Sequence, residues 1–228
     1  ASLIFSSCHD NSPTTQKDTS LSSLPPITNV APVFLHGDTK AQFGGTCSTF
    51  KAMIPEDEAL KLIQDEFLQA HLNFGPGIGI EVPTPSDTWK SNKELLKMST
   101  MFKCGNSFTV EMDGHDREKN IAFYCISLND KSKLLCLDPE LYFDKTTIEE
   151  YNLERESEFF RDALQKSRWE GTCAVFYNPF GELCTSEIFT GIEEKDKEIY
   201  NKLQEQVREN LRLQVRDFIQ WLKAQGII

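Results

Sequence analysis

The sequence is poor in basic residues. It has 24 Lys and Arg against 35 Asp and Glu, which gives a formal net charge of −11. Proteins that bind nucleic acid neutralise phosphate groups with Lys and Arg. Here the basic side chains alternate with acidic ones, as Lys195 and Lys197 do with Glu194 and Glu198. We therefore expect no nucleic-acid partner.

Several common motifs are also absent. No run of about 18 apolar residues follows Cys8, which excludes an internal membrane-spanning helix after that point. The cysteines form no C-x2-C pair, and the chain has no G-x-S-x-G, so zinc-finger, thioredoxin-like and serine-hydrolase motifs are missing. Gly75, Gly77 and Gly79 follow a predicted helix instead of preceding one, which argues against a nucleotide-binding loop. No cofactor is expected.

The first eight residues contain an apolar stretch, small residues and a single cysteine, in the order Leu3-Ile4-Phe5-Ser6-Ser7-Cys8. This stretch resembles the end of a bacterial lipoprotein signal peptide. The resemblance implies that Cys8 is lipidated and becomes the mature N-terminus. It also implies a bacterial envelope protein held to a membrane through that lipid, facing either the periplasm or the cell surface.

Residues 9–32 are rich in Ser, Thr and Pro, with little apolar mass before Ile27. Such a segment buries too little surface to offset its ordering entropy, so it is predicted to be a flexible tether. If extended, the tether would reach on the order of 60–70 Å at roughly 3 Å per residue. Residues 33–228 are long enough for a single domain with a sizeable core.

Apolar periodicity predicts helices at about 55–73, 147–167 and 191–224. The last helix carries an apolar stripe with a spacing of three or four residues, formed by Ile199, Leu203, Val207, Leu211, Val215, Phe218 and Leu222. Gly226 is the predicted residue just past its end. A helix of this length could extend beyond the core, so we expect it either to pack internally or to offer a site for a protein partner.

Alternating or continuous apolar residues predict strands at 107–112, 121–128 and 171–177. The first two are expected to form a hairpin, with Asp113-Gly114 beginning the turn. The predicted fold class is α+β: a small antiparallel sheet of three to five strands, packed against helices and ending in a long amphipathic C-terminal helix.

Three further segments, at 113–123, 174–179 and 211–228, resemble segments of uncharacterised bacterial proteins that often carry export signals. Together with the Cys8 motif, they make the chain similar to bacterial lipoproteins of unknown function. The resemblance implies a compact α+β domain that ends in the long helix. It implies no chemistry.

Six cysteines remain after Cys8. Cys125 and Cys136 are separated by ten residues with a turn signal between them, and so are Cys173 and Cys184. Opposite positions on an antiparallel pair would bring each couple near disulfide range. The alternative is that these thiols are buried and behave as small apolar side chains.

One short segment combines several groups that could take part in chemistry. Asp113, His115 and Asp116 place two carboxylates and an imidazole in one predicted turn. These groups could hold a metal or act as acid and base, although Asp, Gly and His are also ordinary turn residues. A nucleophilic Cys47 or Cys104 beside His115 or His36 is a further candidate pair.

The sequence predicts a lipid-anchored envelope protein that acts as a non-enzymatic binding or assembly module. An envelope enzyme with a Cys/His or Asp/His site near 104–116 is the alternative. A third hypothesis is a cytosolic interaction domain whose N-terminus only mimics a lipoprotein signal. A pocket converging on His115 would favour the enzyme, and an exposed apolar patch on the last helix would favour the module. The sequence leaves the oligomeric state open.

Overall fold

A computed structural model describes residues 28–43, 52–84, 105–127, 130, 149–181 and 193–228. These residues form an α+β fold, as predicted. Its elements in chain order are β1 (Asn29–Val30), β2 (Lys40–Phe43), α1 (Glu56–Gln69), β3 (Gly79–Pro83), β4 (Ser107–Glu111), β5 (Gly114–Asp116), β6 (Ile121–Ile126), β7 (Glu149–Asn152), α2 (Leu153–Gln165), β8 (Thr172–Tyr177) and α3 (Glu193–Ala224).

The central sheet has four strands in the order β1-β8-β6-β5. It is mixed, whereas an antiparallel sheet was expected. Strand β8 runs parallel to both β1 and β6, and only β5 is antiparallel to its neighbour. The parallel strands β6 and β8 are buried at every position, which explains why both read as continuous apolar runs.

Alternate side chains of β6 point into two separate cores. Ile121, Phe123 and Cys125 face the core that contains α1 and α3. The intervening Ala122, Tyr124 and Ile126 face the core formed with α2 and the β3–β4 pair. The sheet is therefore covered on both faces, and two-residue periodicity decides which core each side chain joins.

The apolar stripe of α3 packs inside the domain. Leu203, Val207, Leu211, Val215, Phe218 and Leu222 are all buried. Phe218 makes an edge contact with Phe67 of α1, with ring centroids 6.0 Å apart. The stripe that could have met a protein partner thus holds α3 against α1 and the sheet. Gly226 ends the helix with a φ of 69°, as its predicted position requires.

The predicted hairpin between 107–112 and 121–128 is wrong. Strand β4 pairs with β3, with Val110 opposite Ile80, and the antiparallel partner of β6 is the short strand β5. The chain turns at residues 117–120, where Asn120 has a φ of 54°. The Asp113-Gly114 signal instead marks the step from β4 to β5.

Two predicted boundaries also move. Strand β1 lies within the segment assigned to the tether, and the Ala31 N–H bonds to Cys173 O at 2.9 Å, so the fold includes residues from Thr28 onward. Helix α2 begins at Leu153, not near 147, because residues 149–152 pair with β2. The Asn152 side chain caps this helix by accepting from Arg155 N at 3.1 Å. Among the described residues, no helix is long and apolar enough to cross a membrane.

Candidate functional site

The three residues of the predicted polar site lie on or beside β5, but their side chains have separate roles. Asp113 Oδ2 accepts a hydrogen bond from Cys125 N at 2.7 Å, which ties the start of β5 to β6. Among the described residues, no group of three His, Cys, Asp or Glu side chains is arranged to hold a metal ion. The short spacing of these residues therefore does not make them converge.

Asp116 is buried, and its carboxylate organises the surrounding backbone. Oδ1 accepts from the N–H groups of Glu118 and Lys119, both at 3.0 Å, and Oδ2 accepts from Asn73 N at 2.9 Å. Bonds from backbone donors to a charged acceptor are among the stronger hydrogen bonds in proteins. The carboxylate thus holds the β5–β6 turn against the segment that follows α1.

His115 is held in one orientation. Asn120 Nδ2 donates to Glu170 O, so Asn120 Oδ1 is the acceptor for the Nε2–H of His115, 3.2 Å away. Nδ1, the other ring nitrogen, is buried without a hydrogen-bond partner among the described residues. The ring also meets Trp169 edge-on, with centroids 6.0 Å apart. An imidazole with one nitrogen engaged and the other buried is poorly placed for proton transfer to a ligand.

A surface cleft opens between the end of α1 and the β5–β6 turn, with a volume of about 550 Å³. We call it the histidine cleft. It is lined by His71, Asn73, Gly75, Pro76, His115, Asp116, Arg117, Glu118 and Lys119. Its volume lies within the usual range for sites that bind small molecules, roughly 300–1,000 Å³. Its lining is more polar than that of most such sites, which favours a hydrophilic ligand.

His71 stands at the rim of this cleft in an unusual backbone conformation. Helix α1 ends with paired bonds from His71 N to Leu68 O and from Leu72 N to Phe67 O, both at 3.0 Å. This ending places His71 at the position that glycine usually occupies, and its φ is 61°. A side chain in the left-handed region is disfavoured by about 1–2 kcal/mol. The chain carries an exposed imidazole where a glycine would be more stable.

The charges in the histidine cleft are only partly matched. Arg117, Glu118 and Lys119 are all exposed. Lys119 Nζ is 3.8 Å from Glu118 Oε1, a long contact in which 87% of the Glu118 side chain is exposed to solvent. Arg117 has no ion-pair partner among the described residues. The Asp116 carboxylate accepts backbone N–H groups and does not pair with Arg117. The guanidinium of Arg117 is therefore available to a ligand.

A second cleft, of about 390 Å³, lies between α1 and α3. We call it the arginine cleft. Its lining comprises Glu58, Lys61, Leu62, Asp65, Glu66, Gln69, Arg208 and Arg212. Here each basic side chain has a carboxylate partner: Lys61 binds Asp65 at 2.7 Å, and Arg208 Nε binds Glu58 at 2.7 Å.

Glu66 is the centre of this network. It is buried, and Arg216 binds it through two donors, at 2.9 and 3.1 Å. Arg212 Nε lies 3.8 Å from the same carboxylate. The charged side chains that line the arginine cleft are therefore all paired, with each other or with neighbours on α3.

A third polar cluster lies at the carboxyl end of β6. Buried Asp130 accepts from Ser127 N at 2.8 Å, and Ser127 Oγ contacts Glu56 Oε2 at 3.2 Å. Burial, reinforced by the nearby Asp130 carboxylate, raises the pKa of Tyr124. Asn178 Nδ2 donates to Ile54 O at 2.8 Å. These contacts connect the ends of β6 and β8 to the start of α1.

The described cysteines are buried free thiols. Burial, together with the carboxylates of Asp113, Asp130 and Glu56, raises the pKa of Cys125 well above its usual value. Burial alone raises the pKa of Cys173 to about 12. Both thiols therefore stay protonated at neutral pH and are poor nucleophiles.

The other cysteine predictions fall outside the described residues. This applies to the lipidation site Cys8, to the candidate nucleophiles Cys47 and Cys104, and to the expected disulfide partners Cys136 and Cys184. Cys125 and Cys173 are free thiols in the part of the chain that the structure describes. The pairings Cys125 with Cys136 and Cys173 with Cys184 stay predictions, because the second cysteine of each lies outside that part. His36, the other proposed base, lies against α3, where its Nε2 is 2.8 Å from Asp217 Oδ2.

Sequence reasoning singled out Asp113, His115 and Asp116 but placed them in a turn, whereas His115 and Asp116 belong to β5 and the turn lies at residues 117–120. It also missed what completes the site. His71, Arg117 and Lys119 were not singled out as site residues. A signal was present in the polar run from Asp113 to Asn120, which places three consecutive charged residues after Asp116. Nothing in the sequence shows that this turn faces the end of α1.

Comparisons with protein-family models, with curated proteins and with solved structures find no match to this chain.

Proposed function

We propose that this chain is a non-enzymatic binding module and that the histidine cleft is its ligand-binding site. The observation that carries the proposal is a 550 Å³ cleft with an ordered backbone and available polar side chains. Asp116 fixes the two segments that form its walls. The side chains that line the cleft are attached to these two fixed backbone segments, as a pre-organised binding site requires.

The enzyme alternative receives less support. A pocket does converge on His115, the feature expected of an enzyme. However, the Nε2 of this residue is engaged by Asn120 and its Nδ1 is buried. The thiols of Cys125 and Cys173 are buried and protonated. Within the described residues, no nucleophile and base are therefore positioned to act together in this cleft.

The proposal includes a lipid anchor at Cys8 on a bacterial envelope. It is supported by the resemblance of residues 3–8 to a lipoprotein signal. The described fold begins at Thr28, whose hydroxyl donates to Trp169 O at 2.7 Å. An extended segment between Cys8 and Thr28 would reach about 60 Å at roughly 3 Å per residue. That length would let the domain reach ligands away from the membrane surface.

A protein partner at α3 is supported less well. The apolar stripe of the helix packs within the domain. Only its polar side chains and its less buried first ten residues are left for contact with another molecule.

The binding proposal is tested by filling the cleft. Gly75 lines it, and a Cβ added there would lie 3.9 Å from His115 O, its nearest neighbour. Gly75→Trp should therefore fill the cleft while leaving the backbone bonds between Gly75 and His115 intact. Gly75→Ala is the matched control.

A panel of small polar molecules would be screened by ligand-observed NMR against the full chain. We expect compounds that bind the native chain and Gly75→Ala to lose binding to Gly75→Trp. Equal binding to all three proteins would show that the cleft is not the site.

The anchor is tested separately, by the intact mass and N-terminal peptide mass of the native protein from a detergent-solubilised membrane fraction. A mature chain that begins at Cys8 with an added acyl mass is expected. An unmodified Cys8 with residues 1–7 still attached would exclude lipidation.

A further inference from the structure

We infer that the ligand of the histidine cleft carries an oxyanion group, a phosphate or a carboxylate, which is bound by Arg117 and Lys119. This inference rests on the binding function proposed above and specifies its ligand class. It follows from which charged side chains of the β5–β6 turn already have a partner within the protein and which do not.

The first step concerns Asp116. A buried carboxylate beside two basic residues would ordinarily neutralise one of them. Here both oxygens accept backbone N–H groups, at distances of 2.9–3.0 Å. The negative charge of Asp116 is thus compensated by the loop that it organises, and the guanidinium of Arg117 is left without that partner.

The second step compares Arg117 with the arginines of the helices. Arg161, Arg208, Arg212 and Arg216 each contact a carboxylate within 3.3 Å. Arg155 of α2 instead lies over the Phe159 ring, 5.7 Å from its centroid. Arg117 makes no such contact among the described residues, although the chain has a net charge of −11. The guanidinium fork matches two oxygens of a phosphate or carboxylate. An exposed fork beside a cleft is suited to bind such a group.

The third step concerns the remaining lining groups. Lys119 places a second cation in the cleft, and its contact with Glu118 is 3.8 Å long. The exposed side chains of His71 and Asn73 add polar groups on the opposite wall. The last carbonyls of α1 would repel an anion, but those of Phe67 and Leu68 accept hydrogen bonds from Leu72 and His71. Polar side chains therefore line the cleft on both walls.

The negative charge of Glu118 repels an anion in the cleft. Removing it should therefore strengthen oxyanion binding, whereas removing the charge of Arg117 should weaken it. The Glu118 side chain is 87% exposed, so its removal should not disturb the fold. Glu118→Gln should tighten oxyanion binding by about twofold to threefold, because one nearby negative charge is lost. Arg117→Gln should weaken binding by about tenfold, since it removes a charged, bidentate donor. Arg117→Lys should fall between native and Arg117→Gln.

The probes are glycerol 3-phosphate, glycerol and choline, each added to the ¹⁵N-labelled full chain at low ionic strength. All three are small polar molecules, but glycerol 3-phosphate is negatively charged, glycerol is neutral and choline is positively charged. The comparison therefore tests whether the cleft selects for negative charge. We expect glycerol 3-phosphate to shift amide resonances of residues 71–76 and 115–119, with the order of affinity Glu118→Gln, native, Arg117→Lys, Arg117→Gln. Unchanged shifts elsewhere would show that the variants are folded.

A second experiment distinguishes two sources of the oxyanion, a free small molecule and a lipid headgroup. Vesicles of phosphatidylglycerol and of phosphatidylcholine are floated with the native chain and Arg117→Gln. Arg117-dependent binding to glycerol 3-phosphate alone assigns a free ligand, and additional Arg117-dependent flotation with phosphatidylglycerol assigns a lipid headgroup. Either result supports the inference.

The inference is overturned if glycerol or choline shifts the cleft amides as strongly as glycerol 3-phosphate, or if Arg117→Gln binds as the native chain does. Those results would leave the binding function standing, provided that the Gly75→Trp variant loses binding. If no compound of the broader panel binds in the cleft, the proposed function itself fails.

Discussion

The histidine cleft and the arginine cleft both border α1, and each contains a buried carboxylate close to basic residues. They differ in what that carboxylate binds. Asp116 accepts three backbone N–H groups, whereas Glu66 binds the guanidinium groups of α3. A carboxylate that binds the backbone shapes a loop and leaves neighbouring cations available. A carboxylate that binds side chains joins two helices and neutralises them.

The two arrangements also differ in energetic character. Backbone donors around Asp116 are held in place by the turn, so little side-chain entropy is lost when they bond. The network at Glu66 orders long arginine side chains, and 44% of the Arg216 side chain is exposed to solvent. Exposed ion pairs contribute modestly to stability and weaken with salt. We therefore expect Asp116 to matter more for stability than Glu66.

The largest expected effect is that of Asp116→Ala. It leaves three backbone N–H groups without their acceptor, so we expect a loss of about 3 kcal/mol in the free energy of unfolding. Chemical denaturation monitored by circular dichroism measures the loss. Asp116→Asn retains one acceptor oxygen and should lose about 1 kcal/mol. An Asp116→Ala protein as stable as the native chain would show that the carboxylate does not organise this cleft.

A smaller effect is expected for Glu66→Ala, with Glu118→Ala as its counterpart in the histidine cleft. Glu66 is buried beneath Arg212 and Arg216, and its removal should lower the free energy of unfolding by about 2 kcal/mol. Glu118 is exposed, and its removal should change stability by less than about 0.5 kcal/mol.

Denaturation of both variants at low and high NaCl sharpens this contrast. Salt should reduce the difference between the native chain and Glu66→Ala, because it screens the ion pairs. A similar loss of stability for the two variants would remove the distinction between the clefts.

The smallest expected effect has the opposite sign. His71→Gly should raise the free energy of unfolding by about 1 kcal/mol, because glycine adopts a positive φ without steric conflict. The same change removes an imidazole from the cleft, so ligand binding should weaken while stability increases. Thermal unfolding and the NMR titration measure the two quantities. Lower stability of His71→Gly would mean that the side chain contributes contacts that outweigh its backbone strain.

The sequence predicted α1, α3 and the strand β8 well, because their patterns are local, whereas it placed the start of α2 too early. The stripe from Leu203 to Leu222 has helical spacing over several turns, and it is buried as that spacing requires. Strand pairing was predicted less well. The hairpin between 107–112 and 121–128 was wrong because β3, far away in the sequence, is the partner of β4. Apolar alternation identifies a strand without naming its neighbour.

The candidate site shows the same limit. The polar segment around His115 was identified from its composition, but it was predicted to be a turn and is strand β5. The acid/base or metal role was predicted only because Asp113, His115 and Asp116 are close in sequence. In the structure Asp113, His115 and Asp116 bind different partners. The two cations that we infer to bind a ligand, Arg117 and Lys119, lie within three residues after Asp116. They are available to a ligand because the Asp116 carboxylate accepts backbone donors instead.

The sequence by itself determined the acidic charge balance, the α+β class, and the positions of the helices and of the two most buried strands. Those properties depend on composition and on periodicities that span a few residues. Only the tertiary structure decided that β6 and β8 lie parallel, that α3 packs its apolar stripe internally, and that His71 and Arg117 line the same cleft. Each of these depends on contacts between segments that are distant in sequence, and their partners are selected by the free energy of the whole fold.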